Sequence, residues 1–268
     1  MNTRPGRVDS AFLSTVNLTS IVQSPQVDKK GVVHPAGAHL SHCGDWVTLA
    51  FDAPRPVLSS AVLGGGLGRS RRWLNLRVNG DADDESAYED PEVTLAGLCR
   101  RQGWGTDTVA MMTAASMDSL RVRHTSLGAG ATLAVLVTTG TANARRAGDR
   151  AEYRTIGAMP AEIGTINLAV VASARLSDAA LVESALVATE AKAAVLQDLG
   201  IRSPVSGAIA TGTGTDSLAV FGGYGSQAVH YAGKHTLFGE MLARLVIAAL
   251  DDSIHQCGAL IADLDAGD

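Results

Sequence analysis

Seven consecutive residues, Ala210 to Asp216, read ATGTGTD and carry the densest chemistry in the chain. Thr211, Thr213 and Thr215 alternate with Gly212 and Gly214, and a carboxylate follows. As an extended segment, this run lines three hydroxyls along one face and leaves the other bare. A bare face admits another backbone or a bulky ligand, a common use of glycine in a strand. As a loop, the glycines permit positive φ and let successive amides converge on an oxygen. Lys234 and His235 follow within the same glycine-rich stretch, Gly207 to Glu240. Small hydroxyls and amides beside an acid suit a site better than a core.

Other stretches carry further candidates. The apolar segment ending in Ser59, Ser60 and Gly64–Gly66 (SSAVLGGG) reads as a strand entering a phosphate or oxyanion loop. It matches neither a Walker loop nor a GxGxxG fingerprint, and a plain turn is the competing reading. A polar turn, TGTANARRAG, carries Asn143, Arg145 and Arg146. His34, His39, His42 and Cys43 invite a zinc reading, but their spacing matches no known pattern and Pro35, Gly37 and Gly44 oppose a helical HxxxH. Loop histidines are the expectation there, and no metal is assigned.

The elements that position these residues follow from periodicity and punctuation. Strands are expected at Trp46–Phe51, Val57–Leu63 and Trp73–Val78, with Asp52–Pro56 as a turn; Asn75 and Arg77 share one face. Asp81–Asp90 reads as a solvated acidic loop, and Pro91 opens a helix that ends before Gly103. Further strands are expected at Thr108–Thr113, Leu120–Thr125, Ala131–Thr138, Ile166–Ser173, Ala208–Thr211, Ser217–Phe221 and Ala228–Tyr231. Ser177 caps a long helix, Asp178–Leu199, whose apolar stripe reads Val182, Leu186, Thr189, Ala193 and Leu196. Glu190 and Lys192 fall on its borders, either as a solvated ion-pair face or as groups reaching over a buried rim. A last helix runs from about Thr236 to Leu250. Mixed β-sheet layers against long helices predict a single α+β domain, with a doubly wound α/β arrangement as the alternative. Residues 1–15 and 263–268 are expected to be flexible.

Composition narrows the function. The chain has 268 residues, 46% hydrophobic and 18% charged, with a net charge of -5, so it offers no basic footprint for nucleic acid. Cys43, Cys99 and Cys257 are three widely spaced cysteines, which form no disulfide framework. The longest apolar run is too short to cross a bilayer, and the first residues carry no apolar signal region. A soluble cytoplasmic protein is the expectation, with homo-oligomerisation left open.

The segments LSSAVLGGG, TGTANARRAG, GTINLAVV, TEAKAAVLQDL, ATGTGTDS and YAGKH occur in this order, and their set resembles the adenosylcobinamide amidohydrolase family of corrinoid salvage. The resemblance runs from about Val47 to Leu250; EAK at Glu190–Lys192, ATGTGTDS and GKH at Gly233–His235 are its most specific parts. It implies hydrolysis of the amide joining a corrin side chain to aminopropanol, giving adenosylcobyric acid and 1-amino-2-propanol. The cobalt corrinoid would be substrate, with no cofactor of the enzyme's own. TGTANARRAG also echoes self-processing ornithine acetyltransferases, which expose a threonine amine by cutting their own chain. A corrinoid carrier without catalysis is a third reading, although no DxHxxG-like histidine is present.

Such a reaction needs a nucleophile, a proton donor for the departing amine and donors for the oxyanion. Under the resemblance the catalytic candidates are Glu190, Lys192, Asp216, His235 and Thr213. His235 or Glu190 would move protons while a Thr-Gly loop hydroxyl or an activated water attacks. Substrate contacts would come from Ser59, Ser60, Gly64, Gly65, Gly66, Asn75, Asn143, Thr211, Gly212, Gly214, Thr215 and Lys234. His235 as part of a helix cap, and Asp216 as the closure of a local turn, are the plainer alternatives.

Overall fold

The computed structural model describes residues 35–78, 90–152 and 165–264. His34 and most of the acidic stretch 81–90 lie outside them. In chain order the elements are β1 (His39–His42), β2 (Trp46–Ser59), β3 (Gly66–Arg77), α1 (Pro91–Arg101), β4 (Thr108–Thr113), β5 (Arg121–Gly128), β6 (Ala131–Thr139), β7 (Ala144–Arg145) and β8 (Ile166–Ala172). There follow β9 (Arg175–Leu176), α2 (Asp178–Asp198), β10 (Gly212–Thr213), β11 (Ser217–Phe221), β12 (Ala228–Val229), α3 (Leu237–Ile254) and β13 (Ile261–Asp263).

Nine strands form one mixed sheet in the order β13-β5-β6-β8-β11-β2-β3-β4, with β1 added alongside β2. Two crossovers run through helices. β3 passes by α1 into its parallel neighbour β4, and β8 passes by α2 into its parallel neighbour β11. The remaining central pairings, β2 with β3 and β11, and β6 with β5 and β8, are antiparallel. The fold is α+β. It is not doubly wound, because α2 and α3 pack on the same face of the sheet.

That face is built from Leu133, Val135, Leu168 and Val170 of the sheet against Leu181, Leu196, Leu242 and Leu245 of the helices. Each such side chain, fully buried, contributes roughly 1.5–3 kcal/mol. The opposite face closes on itself: Val57, Trp73, Met111, Leu136, Val171 and Phe221, from strands far apart in the order, form one cluster. A polar bridge spans the same curl. Asn75 on β3 donates to Thr138 Oγ1 on β6 at 2.7 Å and accepts from Asn167 Nδ2 on β8 at 2.8 Å. Asn167 Nδ2 also donates to the Met112 carbonyl of β4 at 2.8 Å. A rolled sheet therefore brings β3 and β4 over β6 and β8.

The helix starts follow from their caps. Asp90 accepts the Glu92 N–H with Pro91 in the first turn, Ser177 accepts the Ala180 N–H, and Thr236 accepts the Gly239 N–H. Three expectations need correction. The stretch Asp52–Pro56 is not a turn, because β2 runs through it with an irregularity between Ala50 and Arg55. There β2 leaves β1 and has not yet met β11, so Pro54 and Pro56 interrupt no ladder on that side. The stripe of α2 is also rotated: Val182 and Leu186 are exposed, while Leu181, Ser184, Ala188, Ala191, Lys192 and Val195 are buried. Apolar residues surround this helix on nearly every side, so periodicity alone selects no face. No strand runs over Ala208–Thr211, where only a bridge between Arg202 and Ile209 forms. Asp263 lies in β13, paired with His124 of β5, and residues 1–15 and 265–268 lie outside the described residues.

Candidate functional site

The site begins with one turn of α2. Lys192 lies on the buried face, and its side chain is only 9% exposed. An ammonium that far from water requires a partner. Asp216, itself 15% exposed, supplies it: Lys192 Nζ donates to Asp216 Oδ2.

The ATGTGTD segment is folded to deliver that carboxylate. β10 pairs antiparallel with β7, so Gly212 faces Arg145 and Thr213 faces Ala144. The chain then turns through Gly214 and Thr215 before β11 begins. Within this turn Asp216 folds back on Thr213. Its Oδ2 accepts the Thr213 N–H at 3.0 Å, and its Oδ1 accepts the Thr213 hydroxyl. Oδ1 also accepts the N–H of Ile166, the first residue of β8, at 3.0 Å. Four donors thus converge on one carboxylate, the pattern of an ionised acceptor with its lone pairs in use. Thr165 pins the turn from outside by donating to the Thr215 carbonyl at 2.9 Å. Gly212 has no room for a side chain: a Cβ there would overlap Asp216 Oδ2 and lie 3.0 Å from Lys192 Nζ.

Two clefts meet at this pair, and Thr189, Lys192 and Asp216 line both. The first, about 570 Å³, is the more polar of the two, with Asn143, the arginines 145, 146 and 150, and the threonines 211, 213 and 215 in its wall. The Asn143 Oδ1 is buried there with no hydrogen-bond partner among the described residues. Its Nδ2 lies beside Gly214, 3.1 Å from where a Cβ on that glycine would stand. The segment that carries the arginines is clipped to the ATGTGTD side: Ala147 N–H donates to Thr211 Oγ1 at 2.8 Å, and Arg146 donates to the Ile209 carbonyl at 2.9 Å. Arg145 pairs with Glu152. Hydrogen bonds from the Ser203 and Ser206 hydroxyls hold the Asp149 carboxyl below the usual carboxylate range. The second cleft, about 440 Å³, lies between α2 and the ends of β2, β8 and β11. Leu58, Leu168, Leu218 and Ala185 make it largely apolar, and Ser59, Ser60 and Ser217 are its hydroxyls.

The structure therefore brings together Lys192, Asp216, Thr211, Gly212, Thr213, Gly214, Thr215 and Asn143, with Ser59 and Ser60 on the neighbouring cleft. It leaves several expected residues elsewhere. Glu190 pairs with Lys234, both side chains are more than half exposed, and neither residue lines a cleft. His235 is exposed just before the cap of α3 and lines neither cleft. Asn75 is fully buried in the bridge between strands. Gly64 and Gly65 lie in a turn and Gly66 opens β3, all outside both clefts; Gly64 has φ +69, and a Cβ on it would stand 2.5 Å from the Thr108 carbonyl oxygen. Sequence reasoning missed Thr189, Arg150 and Asp149. Thr189 sits one turn before Lys192, and the other two continue the polar turn that starts at Asn143, so adjacency was the available signal.

Of the histidine segment, His39 lies 3.4 Å from Asp52. Among the described residues no helix is long and apolar enough to cross a membrane.

Comparison with known proteins gives the arrangement a lineage. Residues 32–262 match the CbiZ family model, described as adenosylcobinamide amidohydrolase. An adenosylcobinamide amidohydrolase of Methanosarcina mazei is 28% identical over 200 residues, which cover 71% of this chain and 86% of that protein. An uncharacterized Methanocaldococcus jannaschii protein, MJ1613, is 35% identical over 172 residues, 59% of this chain; the match spans less than two thirds of that relative, 65% of its length. The crystal structure of the PH0078 protein from Pyrococcus horikoshii aligns with a TM-score of 0.39 and 10% identity, covering 85% of this chain and 80% of that one. The family match takes in both clefts and the pair between them, and the chain belongs to the adenosylcobinamide amidohydrolase family.

Proposed function

We propose that this protein hydrolyses the amide between the corrin side chain and aminopropanol in adenosylcobinamide, releasing adenosylcobyric acid and 1-amino-2-propanol in corrinoid salvage. The observation that carries the reading is the Lys192–Asp216–Thr213 contact at the meeting of two clefts. It places an acid and a nucleophile each within hydrogen-bond reach of one base, Asp216, as amide cleavage demands.

The roles follow from what each group has to give. Asp216 already accepts from four donors, so the proton it can take is the one it holds by hydrogen bond, that of Thr213 Oγ1. Removal of that proton makes Thr213 Oγ1 the attacking atom. It forms a bond to the carbonyl carbon, and the carbonyl electron pair moves onto oxygen. Asn143 Nδ2 and the Gly214 N–H are the oxyanion donors, and a single donor of this kind contributes about 10²–10³ in kcat. When the C–N bond breaks, the Lys192 ammonium gives the departing nitrogen a proton and Asp216 returns the threonine's proton to Lys192. A water molecule then cleaves the ester on Thr213 and restores the hydroxyl. The arginine-rich wall of the first cleft offers donors to the carbonyl oxygens of the primary amides around a corrin.

Incubating the protein with adenosylcobinamide and assaying both products tests the reading. Equimolar amine and corrinoid acid are expected, and Asp216→Asn should reduce the rate by at least about 10². Tight corrinoid binding without amine release would instead support a carrier.

A further inference from the structure

The second cleft takes no part in the attack, and its chemistry differs from that of the first. Leu58, Leu168 and Leu218 form an apolar wall, faced by Ala185 of α2. Two hydroxyls stand at its edge. Ser60 Oγ accepts the Leu218 N–H at 3.0 Å and lies 3.4 Å from Ser217 Oγ. So long a hydroxyl contact leaves donor and acceptor capacity for a third oxygen between them. Ser59 differs, because it donates to the Leu218 carbonyl at 2.8 Å and accepts the Ala61 N–H at 3.0 Å.

The layout of the pair adds direction. Lys192 and Asp216 line both clefts, whereas Thr213 lines only the first. An amide whose carbonyl carbon meets Thr213 and whose nitrogen meets Lys192 can extend its acyl arm into the first cleft and its amine arm into the second. We infer that the second cleft is a leaving-group site for a short amino alcohol, with its carbon chain on the leucine wall and its hydroxyl between Ser60 and Ser217. This assignment rests on the amide hydrolysis proposed above. It also orders the reaction: the neutral amine leaves through the second cleft while the acyl group stays on Thr213, and the vacated space admits the water that completes hydrolysis. Every atom is accounted for by substrate and one water.

Three substrates and two variants test it. The substrates are adenosylcobinamide, its analogue carrying propylamine in place of the amino alcohol, and the primary amide that would release ammonia. The wild-type protein should favour the amino alcohol over propylamine by about tenfold in kcat/KM, the effect of one hydrogen bond. In the double variant Ser60→Ala, Ser217→Ala that preference should fall to within about twofold. Ala185→Leu, which fills the cleft, should slow the amino-alcohol substrate by about tenfold or more while slowing the primary amide far less. An unchanged hydroxyl preference in the serine variant, or an equal loss on all substrates in Ala185→Leu, would overturn the assignment and leave the hydrolysis standing. No amine from any substrate with the wild-type protein would overturn the hydrolysis and the assignment together.

Discussion

Asp216 is held by more partners than any other acidic side chain described, and the neighbouring glycine is what permits them. Because a Cβ on Gly212 would overlap the carboxylate and crowd Lys192 Nζ, Gly212→Ala should displace the pair without touching the core. A kcat loss of about 10² or more is expected, with a circular dichroism spectrum like the wild type's. Glu190 and His235 give the opposite expectation. The Glu190–Lys234 pair is exposed, and such pairs are worth about 0–1 kcal/mol. Glu190→Ala and His235→Ala should each leave kcat within about threefold of wild type, because neither side chain lines a cleft. Loss of activity in either variant would move the proton-transfer assignment away from Lys192 and Asp216. In sequence, Glu190 and Lys192 were equal candidates on the borders of one stripe. What separates them is a rotation of α2, which turns Lys192 toward β11 and Glu190 toward solvent.

At the scale of elements, short runs rich in apolar residues were legible as strands. β4 and β11 fall at Thr108–Thr113 and Ser217–Phe221, as expected, and the starts of α1 and α2 could be read from Pro91 and Ser177, while the cap Asp90 was read as loop. The pairing of β7 with β10 was not legible. Two residues from each side create it, and it depends on a contact between segments about 70 positions apart, far beyond the range of local propensity. Asn75 shows the same limit from another direction. Its alternation on β3 was correct as a pattern, but only the curl of the sheet decides that its side chain meets Asn167 rather than a ligand. Asn75→Ala removes the partner of Thr138 Oγ1 and leaves Asn167 Nδ2 with the Met112 carbonyl alone, and should lower unfolding stability by about 1–3 kcal/mol in a denaturant titration. KM for the corrinoid should not change, since Asn75 is wholly enclosed. A KM change with unaltered stability would return it to the substrate-binding set.

At the scale of the molecule, the β8–α2–β11 crossover explains why the site stands where it does. The later turns of α2 come down beside the starting ends of β8 and β11, where Ile166 and Asp216 meet, and the end of β2 brings Ser59 and Ser60 to the same edge. Two clefts on either side of one ion pair follow from that geometry, and they match a reaction that divides one molecule into two. The central claim is that Thr213 carries the acyl group between those halves. Intact-protein mass spectrometry during turnover, with peptide mapping, tests it most directly. The account predicts a single 27.6 kDa chain that gains the mass of a corrinoid acyl group on the peptide containing Thr213. The adduct should be absent in Thr213→Ala. Amine release without any adduct, an adduct on another residue, or a chain cut into two fragments would contradict it.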